Sequence, residues 1–342
     1  MFNAKRLNKQ LFLCVSFLTL FNCLCAADTH WESSQFIWNF ALVTECDRGM
    51  HQTPDAYFKK EVFDKKAYQN IKKGELVWVK SRFLKKFYKK VLPSVRNPFI
   101  LVISDGDESF PSNSRLDKEI DLLINHKMII HIFAQNCDYR GPHHNKVSPI
   151  PLGVDFHTIA YKENSLGWGN RASASEQEAV LKELVKTLKP TNQRKKRAFV
   201  DFQHTDSMRA SFNRYLEFGE DRAAIFQKLK ETHLIDYGQK MPRKDLWKTK
   251  GEYAFSISPM GNGLDCHRTW EDLILGCIVI VKTCPLDPLY EGLPVVIVKD
   301  WSEITEENLT LWLEQYKDAF TNPSYRTKLT TAYWIDKIRA RK

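Results

Sequence analysis

Apolar and polar stretches alternate along the chain in a pattern that predicts short buried strands separated by helices. The clearest apolar, β-branched runs are Phe99–Ser104 and Tyr253–Ile257, and each is followed by a turn and then by apolar residues at helical spacing. Similar runs predict strands at Met128–Ala134 and Ala198–Phe202. Strands that alternate with helices favour parallel sheets, because a right-handed helical crossover returns the chain to the same edge. The pattern therefore predicts an α/β protein.

The stretch from Tyr253 to Trp301 contains the most complete of these units. After the first strand, Pro259 and the turn Gly261-Asn262-Gly263 end the apolar run, and the two glycines are expected to permit positive φ and a close backbone approach. Asp265 is predicted to cap the helix that comes next. The buried face of this helix repeats at i, i+3, i+4 and i+7 through Trp270, Leu273, Ile274 and Cys277.

The end of this helix and the next strands are also marked in the sequence. Gly276 is predicted to end the helix, and Cys277–Val281 and Val295–Val298 then read as two further strands. The glycine turn and the helix start would lie at the carboxyl end of a parallel strand, where open α/β sheets bind ligands and where helix N–H groups favour phosphate. Arg268 could hold a diphosphate and Glu271 could accept hydrogen bonds from ribose hydroxyls. The alternative is an exposed ion pair on an ordinary helix.

Two segments combine several distinctive motifs: SPMGNGLDCHRTWEDLILGCIVIV, which begins at Ser258, and PLDPLYEGLPVVIVKDWSEI, which begins at Pro285. They resemble the signature of the exostosin-like glycosyltransferases. The resemblance consists of a glycine-rich turn, an H-R-x-W-E helix, a Gly-Cys pair before a strand and a Leu-Pro-hydrophobic strand. Val279 stands where the family often has proline. The close match covers about 50 residues, as the two quoted segments show.

The resemblance implies a GT-B-like fold of two Rossmann-like domains whose parallel sheets face a central cleft. It implies inverting transfer of a sugar from a nucleotide donor to a glycan or glycoprotein acceptor, with Arg268 towards the diphosphate and Glu271 towards the ribose. Arg209, after the first strand of the second domain, is the second phosphate candidate because GT-B folds bring a cation there. The expected donor-binding residues are Arg209, Gly261, Asn262, Gly263, His267, Arg268 and Glu271.

Asp105 and Asp107 come directly after the buried strand Phe99–Ser104 and admit three interpretations. One of these carboxylates could be the base for the acceptor hydroxyl, with His143 in a later polar loop as the other candidate. Alternatively, the Asp-Gly-Asp triplet could hold Mn²⁺ and the donor diphosphate, as in GT-A transferases. An ordinary turn is the third interpretation. Under the GT-B interpretation no metal and no cofactor beyond the nucleotide sugar is expected.

The basic residues cluster in one region. The formal net charge of the 342-residue chain is +10, and the region 59–96 contains 13 Lys and Arg but 3 Asp and Glu. Such a cluster indicates an acidic partner or a solvated helix surface. Without an RNA-binding motif or zinc-finger spacing, we expect an acidic glycan or a membrane surface and no nucleic acid. A non-catalytic glycan-binding protein that uses this surface is the competing functional class.

The N-terminal stretch has the features of a secretory signal. Basic residues precede an apolar segment, Leu11–Ala27, which ends in small residues and predicts either a cleaved signal peptide or a signal anchor. We therefore expect the secretory pathway, with the Golgi lumen implied by the resemblance, as a type II membrane protein or a processed soluble one. Asn308 begins a glycosylation acceptor sequence. Cys266 and Cys284 form a conceivable disulfide pair.

These patterns divide the chain into four segments. Residues 1–27 are the signal, 28–152 an acceptor-side α/β domain, 153–305 a nucleotide-sugar-binding α/β domain, and 306–342 C-terminal helices. The boundary falls in Val147–Phe156, a proline-containing segment that resembles the interdomain crossing of GT-B enzymes.

Overall fold

The computed structural model contains two parallel β-sheets. It describes residues 34–50, 62–142, 145–161, 167–203, 222–321 and 323–341. The first sheet has the order β1-β2-β3-β4 and the second the order β6-β5-β7-β8-β9, and all the strand pairs within them are parallel. The strands are β1 Leu76–Lys80, β2 Phe99–Ser104, β3 Ile129–Ala134, β4 Val147–Pro149, β5 Lys195–Val200, β6 Ile235–Tyr237, β7 Tyr253–Ile257, β8 Ile278–Lys282 and β9 Val295–Val298.

Helices connect most of the successive strands, as is usual for parallel pairing. They are α1 Asn39–Thr44, α2 Leu84–Lys90, α3 Ile120–Ile124, α4 His157–Tyr161, α5 Ala174–Thr187, α6 Arg222–Leu229, α7 Arg243–Lys250, α8 His267–Ile274, α9 Glu306–Gln315, α10 Lys317–Thr321 and α11 Thr331–Arg339. The predicted α/β class with two parallel sheets is confirmed. The predicted boundary near residue 152 lies between the sheets, and as a domain limit it stays a prediction.

The strand–helix–strand unit of the second sheet forms as predicted. β7 pairs with β8 and β8 with β9, in both cases in parallel, and β7 and β8 are almost completely buried. Gly276 has φ +80 and lies just beyond the end of α8, as the helix-stop prediction required. For the mixed aromatic run 31–43 the sequence indicates a helix and then a first strand. The described part of this run ends in the helix α1, whose residues 39–43 are all buried, and the expected first strand is not formed.

The C-terminal helix packs against the beginning of the described chain. The N–H of Ile37 donates to the carbonyl of Leu329 at 2.8 Å, and that of Thr331 donates to the carbonyl of Gln35 at 2.9 Å. Trp334 on α11 meets Trp270 on α8 edge to face, with ring centroids 6.5 Å apart. This contact connects the C-terminal helix to the helix that begins after the glycine turn.

The cysteines outside the N-terminal stretch are free thiols. Cys46, Cys137, Cys266, Cys277 and Cys284 form no disulfide, so the conceivable Cys266–Cys284 pair is not made. Cys277 is a small apolar residue of the core, as a lone cysteine most often is. No helix within the described ranges has the length and hydropathy that a membrane crossing needs. The predicted signal lies outside the described residues.

Candidate active site

A cavity of about 820 Å³ lies at the carboxyl ends of strands from both sheets. Its walls include the Asp105–Asp107 turn after β2, the Gly261–Gly263 turn after β7 and the start of α8. Asp155 of the crossing segment and His157 directly after it also line the cavity. The structure therefore brings most of the predicted site residues to one cavity: Asp105, Asp107, Gly261, Asn262, Gly263, His267, Arg268 and Glu271. His143 and Arg209 lie outside the described residues.

The two turn glycines are needed for space and not for positive φ. Neither Gly261 nor Gly263 has φ in the left-handed region, so that part of the prediction is wrong. A Cβ on Gly263 would lie 2.6 Å from the carboxamide of Asn136, and one on Gly261 would lie 2.9 Å from Sγ of Cys266. The predicted close approach is real, and the partner of Gly263 comes from the first sheet.

Asn136 connects the two turns that face each other across the cavity. It lies beyond the end of β3, and its Nδ2 donates to the carbonyl of Gly106 at 3.0 Å. Its Oδ1 accepts from the N–H of Asp265 at 2.9 Å. Because one side chain contacts both turns, it fixes the distance between the carboxylate turn and the glycine turn.

Replacement of Gly263 by alanine should disturb this connection. Because the Asn136 carboxamide is held at both ends, we expect Gly263→Ala to lower the free energy of unfolding by about 1–3 kcal/mol, the usual cost of overpacking. Urea unfolding measures this loss. In an Asn136→Ala background the same change should cost less, because the colliding atoms are gone. An equal cost in both backgrounds would contradict the contact.

The helix start differs from the prediction, because Cys266 is the N-cap of α8 and Asp265 precedes it. The buried Asp265 carboxylate accepts from the N–H groups of Leu152 at 2.7 Å and Cys266 at 2.8 Å, and from Nε1 of Trp270 at 2.8 Å. Burial raises the pKa of this carboxyl to about 6. Asp265 thus ties the crossing segment to the helix that starts at the cavity.

Arg268 lines the cavity and is ion-paired with Asp201, which lies beyond the end of β5. Asp201 also lies 2.9 Å from Nζ of Lys250, and Lys250 lies 2.7 Å from Asp272. Burial opposes the charge of Arg268, but the Asp201 carboxylate more than offsets this and raises the pKa of the guanidinium. The four charges alternate in sign, so the guanidinium is held in place at the cavity wall.

Glu271 also lines the cavity and is only 7% exposed. Its Oε2 accepts from Nε1 of Trp247 at 3.0 Å and its Oε1 from the N–H of Asp155 at 3.3 Å. Nη1 of Arg243 lies 3.8 Å from Oε1. Arg268 and Glu271 therefore have different partners, and the alternative of an exposed ion pair between them is wrong. A carboxylate held in this way keeps acceptor positions for a ligand hydroxyl.

The carboxylates of the first sheet face the same cavity. Asp105 has φ +60, its N–H donates to Oε1 of Gln135 at 2.9 Å, and its carboxylate is ion-paired with Lys80. Asp107 lies on the cavity wall beside it. An acceptor hydroxyl or Mn²⁺ would have to compete with the Lys80 ammonium for the Asp105 carboxylate.

Several cavity residues were not predicted from the sequence, among them Asp155, His157 and Arg222. Asp155 and His157 lie where the chain leaves the predicted crossing, a segment whose prolines indicate only a stiff linker. Nε of Arg222 donates to the carbonyl of Met260 at 2.7 Å, and Nη2 of its guanidinium lies 3.5 Å from the position of a Cβ on Gly261. Arg222 thus places a second cation at the glycine turn. A lone arginine at the start of a helix gives no such signal in the sequence.

Asp155, His157 and His267 present ligand atoms within 4.8 Å of one another, as a metal site would. The Asp155 carboxylate is already engaged by the N–H of Thr158 at 3.0 Å, the hydroxyl of Thr158 at 2.7 Å, and Nη2 of Arg243 at 2.7 Å. A guanidinium on the carboxylate repels a metal cation and occupies a ligand oxygen. The arrangement therefore suits an orienting carboxylate better than a metal ligand.

His267 is held by the crossing segment. Its Nδ1 lies 2.6 Å from the carbonyl oxygen of Gly153, a contact that requires an N–H on this nitrogen. Burial lowers the pKa of His267, although the nearby Asp155 carboxylate opposes this shift. The ring is therefore a neutral imidazole at neutral pH. Its predicted donor-binding role would be hydrogen bonding and not charge neutralisation.

Solved structures match this chain at low sequence identity. No protein-family model matches the sequence, and no curated protein does. α,α-Trehalose 6-phosphate synthase from Burkholderia multivorans matches at 12% identity and TM-score 0.32, over 82% of this chain and 77% of that one. The catalytic domain of starch synthase IV from Arabidopsis thaliana matches at 12% identity and TM-score 0.33, over 85% of this chain and 80% of that one. The pneumococcal O-GlcNAc transferase GtfA matches at 12% identity and TM-score 0.35, over 79% of this chain and 57% of that one.

These neighbours are two synthases and an O-GlcNAc transferase by name, and at such identities and scores the likeness carries no argument about the chemistry of this chain. The resemblance to the exostosin-like family also stays a prediction. The functional assignment of the protein therefore depends on the residues of the cavity.

Proposed function

We propose that the protein transfers a sugar from a nucleotide-sugar donor to a glycan or glycoprotein acceptor. The observation that carries this proposal is the single cavity that has cationic side chains at a glycine turn on one side and carboxylates on the other. Arg268 and Arg222 would bind the donor diphosphate, together with the start of α8. Glu271 would accept hydrogen bonds from the ribose hydroxyls.

The same cations would promote the reaction by stabilising the leaving group. Negative charge develops on the diphosphate as the bond to the sugar breaks, and fixed guanidinium groups in a partly enclosed cavity stabilise that charge. Because Asp201 holds Arg268 in place, little reorganisation is needed at the moment of reaction. This arrangement would supply the charge that a metal supplies in GT-A enzymes.

The finer assignment is an exostosin-like, inverting transferase of the secretory pathway. It is supported by the segment around His267–Glu271 and by the signal-like N-terminus. The Golgi lumen, a type II anchor or a cleaved signal, and glycosylation at Asn308 belong to the same proposal. The basic region 59–96 supports an acidic acceptor.

Nucleotide binding and metal dependence test the proposal together. Calorimetry should detect binding of UDP or GDP to the purified protein, and mass spectrometry should detect nucleotide release from one of a panel of UDP- and GDP-sugars. We expect EDTA to leave the release rate unchanged within about twofold, because the cations of the site replace a metal. Loss of activity with EDTA and its recovery with Mn²⁺ would favour the GT-A alternative through Asp105 and Asp107.

A non-catalytic glycan-binding protein is the second candidate, and one observation favours it. A separate cavity of about 530 Å³ lies in the basic region, and Lys65, Lys90 and Arg96 line it. A glycan-binding protein of this kind would bind a sulfated polysaccharide but neither UDP nor GDP. Binding of UDP or GDP at the first cavity would therefore count against it.

A further inference from the structure

His157 begins α4, directly after the segment that crosses between the sheets. Its side chain is 36% exposed and lines the cavity that the two turns enclose. Its ring centroid lies 5.3 Å from that of His267, which belongs to the first turn of α8. The imidazole is therefore accessible to a ligand in the cavity, whose walls are the Asp105–Asp107 turn on one side and the glycine turn with the start of α8 on the other.

A buried carboxylate orients this ring. Nδ1 of His157 lies 2.9 Å from Oδ1 of Asp155, whose side chain is only 6% exposed. Asp155 is held in turn by Thr158 and by Arg243, which also donates to the carbonyl of Asp155. With Nδ1 directed at the carboxylate, Nε2 occupies the opposite edge of the ring. An imidazole fixed in this way has its tautomer set by the carboxylate.

We propose that His157 is the general base of the sugar transfer and that Asp155 is its positioning residue. This inference rests on the proposed function. It replaces the candidates that the sequence indicates, Asp105, Asp107 and His143, by the residue that directly follows the crossing segment.

In the proposed step the proton moves to His157, the sugar moves to the acceptor oxygen, and the nucleoside diphosphate leaves. Nε2 of His157 takes the proton of the acceptor hydroxyl as the acceptor oxygen forms its bond to the anomeric carbon of the donor sugar. The bond between that carbon and the diphosphate oxygen breaks, and its electron pair leaves with the nucleoside diphosphate. Arg268 and Arg222 meet the negative charge that leaves, and Asp155 stabilises the imidazolium that forms.

The other groups at the cavity are less suited to this role. Asp105 is ion-paired with Lys80, so its carboxylate is already engaged by another side chain. His267 binds the carbonyl of Gly153 through Nδ1, and the carboxylate that would strengthen it as a base is engaged with His157 instead. His157 alone among these described groups combines cavity exposure with its own orienting carboxylate.

The charges around His157 give the proposal a pH dependence. Burial would lower the pKa of the imidazole, but Asp155, with a smaller contribution from Asp105, raises it overall. Arg243 acts in the opposite direction, and His267 faces the ring from α8. A base must be unprotonated, so the rate should fall as pH drops through this raised pKa.

The decisive variant is His157→Asn in the full chain. The asparagine amide can still donate to Asp155 in place of Nδ1–H, but no group remains at Nε2. We expect turnover of the best UDP- or GDP-sugar to fall by about 100-fold or more, the lower range for loss of a general base. The Kd of UDP or GDP should stay within about threefold, and the acid limb of the pH–rate profile should disappear. His233→Gln, on an exposed histidine, is the matched control.

The outcomes separate the two proposals. Unchanged turnover in His157→Asn would overturn the base assignment, and so would a parallel loss of nucleotide affinity, which a structural role predicts. His157→Gln, which restores an amide near Nε2 and removes the donor to Asp155, should also be slow if the base is what matters. If the wild-type protein neither binds UDP or GDP nor releases nucleotide from any sugar of the panel, the proposed function itself fails.

Discussion

Arg268→Gln is expected to weaken binding of UDP or GDP by about tenfold to a hundredfold, because a hydrogen bond to a charged group contributes about 1.5–3 kcal/mol. Two effects act in the same direction. The diphosphate loses a cation that lies at the cavity wall, and Asp201 loses one of its two counter-charges while it stays beside the same cavity. Calorimetric titration with each nucleotide measures the change.

A double variant and a matched control make this test specific. Arg268→Gln combined with Asp201→Asn should recover part of the affinity, because the uncompensated carboxylate is removed with the cation. Arg197, on β5, also pairs with an aspartate, at 2.6 Å from Asp236, but lies outside the cavity. Arg197→Gln should leave the affinity unchanged. Full affinity in Arg268→Gln would exclude Arg268 from the donor site.

Lys250→Met is expected to cause the largest loss of stability, about 3–5 kcal/mol in the free energy of unfolding. The ammonium group is 1% exposed and lies between Asp201 at 2.9 Å and Asp272 at 2.7 Å, the latter completely buried. Its removal leaves the completely buried Asp272 without its cation and leaves Asp201 with Arg268 alone. Denaturant unfolding at pH 7.5 measures the loss.

The loss should depend on pH with a definite sign. Burial already raises the pKa of Asp272 to about 6 against the lowering effect of Lys250, so the variant should raise it further. A folded-state pKa above the unfolded value favours the folded state at low pH and is a cost at high pH. Lys250→Met should therefore lose less stability at pH 5 than at pH 8. Lys248→Met, on the exposed face of the same helix, should change little at either pH.

The contacts of Glu271 favour glutamine over alanine as the substitution that tests this residue. The resemblance predicts that Glu271→Ala abolishes transfer and leaves the fold intact. In the structure the Glu271 carboxylate accepts from the Trp247 indole and from the N–H of Asp155, so alanine would leave buried donors unsatisfied. Glu271→Gln keeps an acceptor oxygen and tests the ribose contact with less damage to the protein.

What the sequence determined by itself is the local architecture around the glycine turn. The runs Tyr253–Ile257 and Val295–Val298 form strands with those limits, and Gly276 ends the helix between them. Strands buried on both faces appear as continuous apolar runs, and helix ends depend on residues within a few positions. The position of the candidate site residues at the carboxyl ends of the strands could be predicted for the same reason.

Only the tertiary structure decided which side chains act together. Arg268 pairs with Asp201, 67 positions away, and Asp265 is bound by Asn136, 129 positions away. The dyad of Asp155 and His157 is close in sequence, yet its place at the cavity depends on how the chain crosses between the sheets. Periodicity and turn chemistry describe neighbours along the chain, whereas charge partners and close contacts are set by how distant elements pack in three dimensions.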